Sequence, residues 1–334
     1  MRAVKIEAAH YEKSVDSTTV QCRLCPNLCV IKDGAAGTCR IRSNRGGTLW
    51  ADGYGRAVTL AIDPVEKKPL YNFYPGRNIL STGPNGCNFR CGYCQNMEIS
   101  QGTVPTRYVS PESMAELAGE QSSIGVAYTY TEPFIWFEYI RDAGEAVHDR
   151  GLMNVLVSNG YVNDEPLRDL LPVIDAMNID IKSMRPDFYR KVCGGALEDV
   201  LRTVETAAGQ CHIELTNLVI TNYNDTLDDF RKLIDWVASV DPAIPLHFSR
   251  YFPQGSFNEP PTSPDTLLTA YTMAREKLRY VYLGNIREPG TSDTYCPNCG
   301  AKLIERSAYT IETTGIENGM CSSCGTEVDI AGVS

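Results

Sequence analysis

Three cysteines, Cys87, Cys91 and Cys94, stand in a C-x3-C-x2-C loop with an aromatic residue, Tyr93, immediately before the last of them. No other feature of the chain restricts its folding so tightly. A structural zinc ion takes four ligands, and three thiolates leave it incompletely coordinated. They do suit a 4Fe-4S cluster, where they satisfy three irons and leave the fourth open to an outside ligand. Gly83 and Gly86, just ahead of the loop, give the backbone room to wrap such a group.

The remaining cysteines reinforce a metal reading. Of 13 in the chain, eight more fall into two groups: Cys22-x2-Cys25-x3-Cys29-x9-Cys39 near the start, and Cys296-x2-Cys299 with Cys321-x2-Cys324 near the end. Close pairs of this kind suit chelation, whereas disulfide frameworks belong to small secreted domains. The last four form two knuckles of the type that closes a tetrahedral sulfur site, for zinc or for rubredoxin-like iron. The uneven spacing of the first four is compatible with zinc and with an auxiliary iron-sulfur cluster. Cys193, followed by Gly194 and Gly195, reads as a reactive thiol near the barrel mouth or, by default, as an inert buried one, and Cys211 has no assignment.

A length of 334 residues, 43% of them hydrophobic, supports one large domain with small appendages. The net charge of -10 argues against a broad nucleic-acid surface, which needs clustered Lys and Arg. No basic start followed by an apolar run and no long apolar stretch suggests export or a membrane span, so a cytoplasmic location is expected.

Residues 1–75 are expected to form a Cys-rich metal-binding module, 76–289 the main α/β domain, and 290–334 a zinc-ribbon or rubredoxin-like module. In the central part, short apolar runs alternate with helical patterns. The runs Asn78–Thr82, Ile124–Tyr130, Met153–Ser158, Ala176–Ile181, His212–Ile220 and Leu246–Ser249 read as strands, with a further one at Tyr280–Leu283. Ser110-Pro111, the Thr226/Asp229 pair and Ser263-Pro264 mark helix starts. Six strand-helix alternations imply a partial (β/α)6 TIM-like barrel, with a doubly wound open sheet as the alternative. Either puts chemistry at the carboxyl ends of the strands.

The segment Cys87-Asn-Phe-Arg-Cys91-Gly-Tyr-Cys94 resembles the motif of the radical S-adenosylmethionine superfamily. Further segments resemble the pyruvate formate-lyase activating enzyme branch and, more closely, the radical enzyme of the AmmeMemoRadiSam system. They are Asn78-Ile-Leu-Ser-Thr-Gly-Pro-Asn-Gly-Cys87, Cys94-Gln-Asn-Met-Glu-Ile-Ser100, Tyr128-Thr-Tyr-Thr-Glu-Pro133, Ser158-Asn-Gly-Tyr161, Asp180-Ile-Lys-Ser183 and the amino-terminal Cys-x2-Cys-Pro-x2-Cys. The resemblance implies a radical SAM barrel in which S-adenosylmethionine chelates the open iron of the 4Fe-4S cluster. One electron then cleaves it to methionine and a 5'-deoxyadenosyl radical. It also implies a low-potential electron donor, ferredoxin or flavodoxin, and Memo-type and AMMECR-type partner proteins.

Several residues take roles by the same resemblance. Tyr93 lies at the cofactor. Glu132 stands where a Gly-Gly-Glu-Pro segment holds the cofactor's amino group, although this chain reads Tyr130-Thr131-Glu132-Pro133; the plain alternative is an exposed Glu starting a helix. Ser158 and Asn159 fall where ribose contacts are expected, and Asn159-Gly160 equally reads as a turn. Asp180 and Lys182, polar at the end of an apolar strand, match an Asp-x-Lys near the methionine end. Thr216 and Asn217 replace an arginine that binds the carboxylate, a task open to Lys182 or Arg250. His247, taken to end the sixth strand, reads as a contact to adenosine or substrate, or as a satisfied core histidine.

Three functions follow for comparison. The first is an enzyme whose 5'-deoxyadenosyl radical abstracts hydrogen from a substrate, the second an activase that makes a glycyl radical on a partner protein. The third is a non-catalytic iron-sulfur electron carrier. The short gap between Cys94 and Ile124 leaves no room for the ferredoxin-like insert of many activases, and a mere carrier needs no cofactor-shaped barrel.

Overall fold

The computed structural model describes residues 5–14, 18–120, 122–307 and 310–333. Its centre is an eight-stranded sheet of β1 (Thr59–Pro64), β2 (Asn78–Gly83), β3 (Gly125–Tyr128), β4 (Met153–Ser158), β5 (Ala176–Asp180), β6 (His212–Val219), β7 (Leu246–Arg250) and β8 (Val281–Gly284). The strands lie side by side in chain order. β1 runs antiparallel to β2, and the other neighbours are parallel. A doubly wound sheet requires the strand order to reverse at a switch point. This order never reverses, so the doubly wound alternative falls. β8 and β1 remain unpaired with each other in the sheet, which makes the barrel partial.

The longer helices between strands are α1 (Pro111–Glu120), α2 (Phe137–His148), α3 (Asp164–Leu170), α4 (Leu197–Ala207), α5 (Leu227–Val240) and α6 (Pro264–Arg275). Their starts are fixed locally. Thr226 and Asp229 form a reciprocal capping box at α5, and the Ser263 hydroxyl accepts from the Thr266 amide at α6. Phe137, Ile140, Ala143 and Val147 form the buried stripe of α2, with the helical period that seats it on the sheet.

Two boundaries differ from the sequence expectation. Thr59–Pro64 lies before residue 75 yet belongs to the central sheet. It is a half-exposed edge strand, so it lacks the continuous apolar run that marks its neighbours. The strand expected to reach Tyr130 ends at Tyr128, because Tyr130 turns into the left-handed region with φ +69°.

The amino-terminal module consists of a small antiparallel sheet, Tyr11–Lys13, Val20–Cys22 and Val30–Ile31, and a hairpin, Arg42–Arg45 with Thr48–Ala51. The carboxyl-terminal module pairs Thr294–Tyr295, Lys302–Ser307 and Thr310–Thr313. It docks where the barrel strands begin: Arg306 Nη2 donates to the Tyr71 carbonyl at 2.7 Å, and the Ala331 amide to the Asn72 carbonyl at 2.8 Å. Among the described residues, no helix is long and apolar enough to cross a membrane.

Candidate functional site

The three-cysteine loop leaves the carboxyl end of β2 and is braced on both sides. Asn85 exchanges two hydrogen bonds with the Val104 backbone, and the Gly86 amide donates to the Ile99 carbonyl at 2.8 Å. The Phe89 amide points at Cys87 Sγ (3.4 Å), and Ser100 Oγ lies 3.3 Å from Cys94 Sγ. Such contacts orient ligand sulfurs and set the potential of a cluster they hold. A Cβ on Gly83 would stand 2.1 Å from the Thr129 carbonyl oxygen, so only glycine lets the ends of β2 and β3 approach this closely.

Beyond β3 the chain solves the missing glycines in another way. Tyr130 adopts the positive φ that a glycine would take there, an unfavourable state for a large side chain. It is held by its hydroxyl on Asp63 (3.1 Å) and by Asn96 Nδ2 on its carbonyl (2.7 Å). Glu132 follows, and it is buried, not exposed. Its carboxylate accepts from the Phe134 amide (3.0 Å), Ser158 Oγ (2.8 Å) and the Asn159 amide (2.8 Å). Burial pushes its pKa up to about 7 against those donors and nearby Lys182. It does start a short helix, and with three acceptor positions used it keeps one free for a further donor.

Ser158 and Asn159 belong to this network. The Asn159 side chain closes a turn onto the Tyr161 amide (2.9 Å), and its Nδ2 donates to Asn88 Oδ1 (2.9 Å) while facing Cys87 Sγ at 3.7 Å. The turn reading therefore holds, and the same side chain also steadies the cysteine loop. Nothing in the motif spacing singles out Asn88, although it joins Asn159, Tyr161 and Asn27.

Asp180 and Lys182 pair at 3.1 Å at the top of β5. Burial works against the Lys182 charge, but Asp180 and the neighbouring thiols Cys91 and Cys193 more than reverse this and raise its pKa. Tyr93 is buried with its hydroxyl 3.9 Å from Cys193 Sγ, and the Cys193 carbonyl accepts from the Arg90 amide at 2.7 Å. Cys193 thus lies against the loop, as its sequence context allowed, while Cys211 precedes β6 at the opposite end. Among the described residues, Thr216 Oγ1 is buried without a partner, and the Asn217 side chain donates to the Ile181 carbonyl (2.7 Å). Arg250 donates to the Thr262 carbonyl at 2.8 Å.

His247 departs from expectation. It is the second residue of β7, not the last, and the strand continues to Arg250. Its Nε2 bonds Glu214 at 2.6 Å, and its ring packs against Tyr71 and Tyr282. This is the layer at the amino ends of the strands, away from the cysteine loop. The bond to Glu214, early in β6, decides the matter, and a contact between strands is not visible in a single run of residues.

At the far end, the sulfurs of Cys296, Cys299, Cys321 and Cys324 all lie within 4.8 Å of one another, with Cys296–Cys324 and Cys299–Cys321 each at 3.7 Å. A tetrahedron with metal-sulfur bonds of about 2.3 Å has edges of about 3.8 Å. The quartet is shaped for one metal ion.

A partial barrel with a three-cysteine loop after the carboxyl end of its first parallel strand defines a class of iron-sulfur enzyme. The chain belongs to the radical SAM superfamily, whose family profile matches residues 82–237. It is 45% identical over 333 residues to an uncharacterised protein of Methanocaldococcus jannaschii, covering 97% of this chain and 99% of that one. It is 24% identical over 156 residues to pyruvate formate-lyase 1-activating enzyme of Escherichia coli K12, covering 44% of this chain and 63% of that enzyme. A radical SAM methyltransferase from Sphaerobacter thermophilus shares the fold, with a TM-score of 0.50 and 11% identity over 89% of this chain and 81% of that one. Membership implies a 4Fe-4S cluster and S-adenosylmethionine. Three thiols, the acceptor position left on Glu132 and the unpartnered Thr216 hydroxyl fit that pair.

Proposed function

We propose that the chain is an enzyme that cleaves S-adenosylmethionine reductively and takes a hydrogen atom from a bound substrate. One observation carries the reading: the buried Glu132 carboxylate is linked through Asn159 to the Cys87 thiol, so an ammonium acceptor and the cysteine loop form one connected unit. Cys87, Cys91 and Cys94 would hold the cluster, and bound there with S-adenosylmethionine it supplies one electron and a 5'-deoxyadenosyl radical. Glu132 offers its remaining acceptor position to the amino group. Lys182, fixed by Asp180, offers a cation for the carboxylate in place of the absent arginine. Tyr93, packed against Phe188 and Phe257, closes the loop's inner side and excludes water.

Similarity to the Escherichia coli activating enzyme supports a second reading, an activase acting on a partner protein. The segment between Cys94 and β3 holds only the short helix Met97–Ser100, the strand Arg107–Tyr108 and α1 among described elements, which favours the broader reading. Memo-type and AMMECR-type proteins enter the proposal as partners, a ferredoxin or flavodoxin as reductant, and zinc as the metal of the carboxyl-terminal quartet.

Anaerobic reconstitution with iron and sulfide, then dithionite and S-adenosylmethionine, tests the proposal. Formation of 5'-deoxyadenosine by the wild type and its loss in Cys94→Ala are expected. An intact cluster that yields none would falsify the reading.

A further inference from the structure

The four cysteines of the amino-terminal module are arranged differently from the carboxyl-terminal four. Among the described residues, the carboxyl-terminal quartet is the set of ligand atoms drawn together within 4.8 Å. Cys22, Cys25, Cys29 and Cys39 instead line one shared cavity together with Thr38 and Arg42. A single zinc ion, with bonds of about 2.3 Å, draws its ligand sulfurs to about 3.8 Å of one another. A cube of four irons and four sulfides spreads its ligand sulfurs farther apart than one ion does. The three sulfurs of Cys87, Cys91 and Cys94 are likewise not drawn together as the carboxyl-terminal four are.

A second observation is independent of spacing. Arg42 lines the same cavity and is 1% exposed, yet among the described residues its Nε and Nη1 have no hydrogen-bond partner, while Nη2 donates to Glu138. Unpaired guanidinium donors buried this deeply are costly unless something in the cavity accepts them. The sulfides and thiolates of an anionic cluster are such acceptors. Cys29 Sγ is already approached by the Thr38 amide (3.4 Å) and hydroxyl (3.3 Å), as a ligand sulfur is.

The two cysteine sites also touch. Asn27, between Cys25 and Cys29, donates through Nδ2 to the carbonyl of Asn88, between Cys87 and Cys91, at 2.8 Å. A Cβ on Gly86 would meet the Cys39 carbonyl oxygen at 2.2 Å, so the residue before Cys87 lies directly on the backbone of Cys39. On the other side, Cys29 is half-buried and Val30 is 68% exposed, so the module reaches solvent there.

We propose that Cys22, Cys25, Cys29 and Cys39 hold a second 4Fe-4S cluster, ligated by cysteine at every iron, that passes single electrons to the cluster at Cys87, Cys91 and Cys94. Four thiolates leave no open iron, so this cluster cannot chelate a substrate as the other does. A low-potential protein donor gives one electron, the amino-terminal cluster is reduced by one, and it is reoxidised as the electron moves on. No bond forms or breaks and no proton moves in the relay. The relay rests on the proposed cleavage activity; the cluster itself does not.

The direct test uses the full chain with Cys87, Cys91 and Cys94 all replaced by alanine, reconstituted anaerobically. About four irons and four sulfides per chain should remain, with a reduced-state electron paramagnetic resonance signal that S-adenosylmethionine does not shift. Zinc in place of that iron, or no metal beyond the carboxyl-terminal ion, overturns the assignment. No S-adenosylmethionine cleavage enters this readout, so it is separate from the test of activity. For the relay, the ratio of 5'-deoxyadenosine formed with a flavodoxin donor to that formed with dithionite should fall at least tenfold in Cys29→Ser; an unchanged ratio overturns it. Thr38→Val keeps all four thiols should Cys29→Ser fail to fold. Loss of its hydroxyl from Cys29 Sγ should move the midpoint of the amino-terminal signal to more negative potential, and an unmoved midpoint counts against the cluster.

Discussion

Arg42 and Glu138 form an ion pair whose side chains are 1% and 2% exposed, joining the amino-terminal hairpin to the first turn of α2. Burial pushes the Glu138 carboxyl up, but Arg42 and the Ala9 amide outweigh it and hold its pKa below the usual range. Such a pair adds little net stability over an apolar replacement, yet breaking one side leaves a buried charge alone. Glu138→Gln should cost about 3–5 kcal/mol in denaturant unfolding of the full chain. A loss under about 1 kcal/mol would mean that water reaches Arg42.

Asn159 connects Glu132 to the cysteine loop, and its role is positioning. Asn159→Asp replaces the amide that faces Cys87 Sγ at 3.7 Å with a second anion. The negative charge should make the cluster at Cys87, Cys91 and Cys94 harder to reduce, seen as a more negative midpoint in a redox titration followed by paramagnetic resonance. A merely structural role would lower the amount of cluster and leave the potential of what remains unchanged.

Much of this site is legible in the sequence because local chemistry encodes it. The cysteine spacing, the apolar runs of β4 and β5 and the capping residues of α5 and α6 depend on neighbours in the chain. What the sequence hides is long-range. Asn88 gains its role from partners at Asn27, Asn159 and Tyr161. Arg42 and Glu138 meet across 96 positions. His247 reads in sequence equally as a site contact or a core histidine, and only its bond to Glu214, in the layer where the strands begin, separates the two.

The carboxyl-terminal quartet should be separable from the barrel by chelation. Its own apolar cluster is small, with Leu303, Ile304, Val328 and Ile330 among its members, so a metal held there would contribute much of its folding free energy. A strong chelator should release one ion per chain and abolish amide exchange protection in residues 294–307 and 310–331. Protection at Tyr74 should fall with it, because its amide donates to the Ala331 carbonyl. Strands β3 to β6 should keep theirs. Loss across the whole chain would show instead that the module is required for the barrel to fold.

Glu214 gives the barrel a pH dependence with a definite sign. The carboxylate is fully buried, which by itself raises its pKa. His212 at 3.0 Å, His247 at 2.6 Å and the Asn72 amide at 2.6 Å bond to it, and the two histidines in particular bring the pKa from 4.5 to about 2. A carboxyl whose pKa is lowered in the folded state adds stability that is present above its unfolded pKa and is lost as pH falls toward the folded one. The contribution should therefore be constant above about pH 5 and disappear between there and about pH 2, with a size on the order of 3 kcal/mol. Comparing wild type with Glu214→Gln by urea unfolding across that range isolates it, since acid release of metal from the cysteine sites affects both proteins alike. The two stability curves should converge as pH falls. Curves that run parallel down to the acid limit would show that Glu214 is held by geometry alone and that its ionisation is not linked to folding.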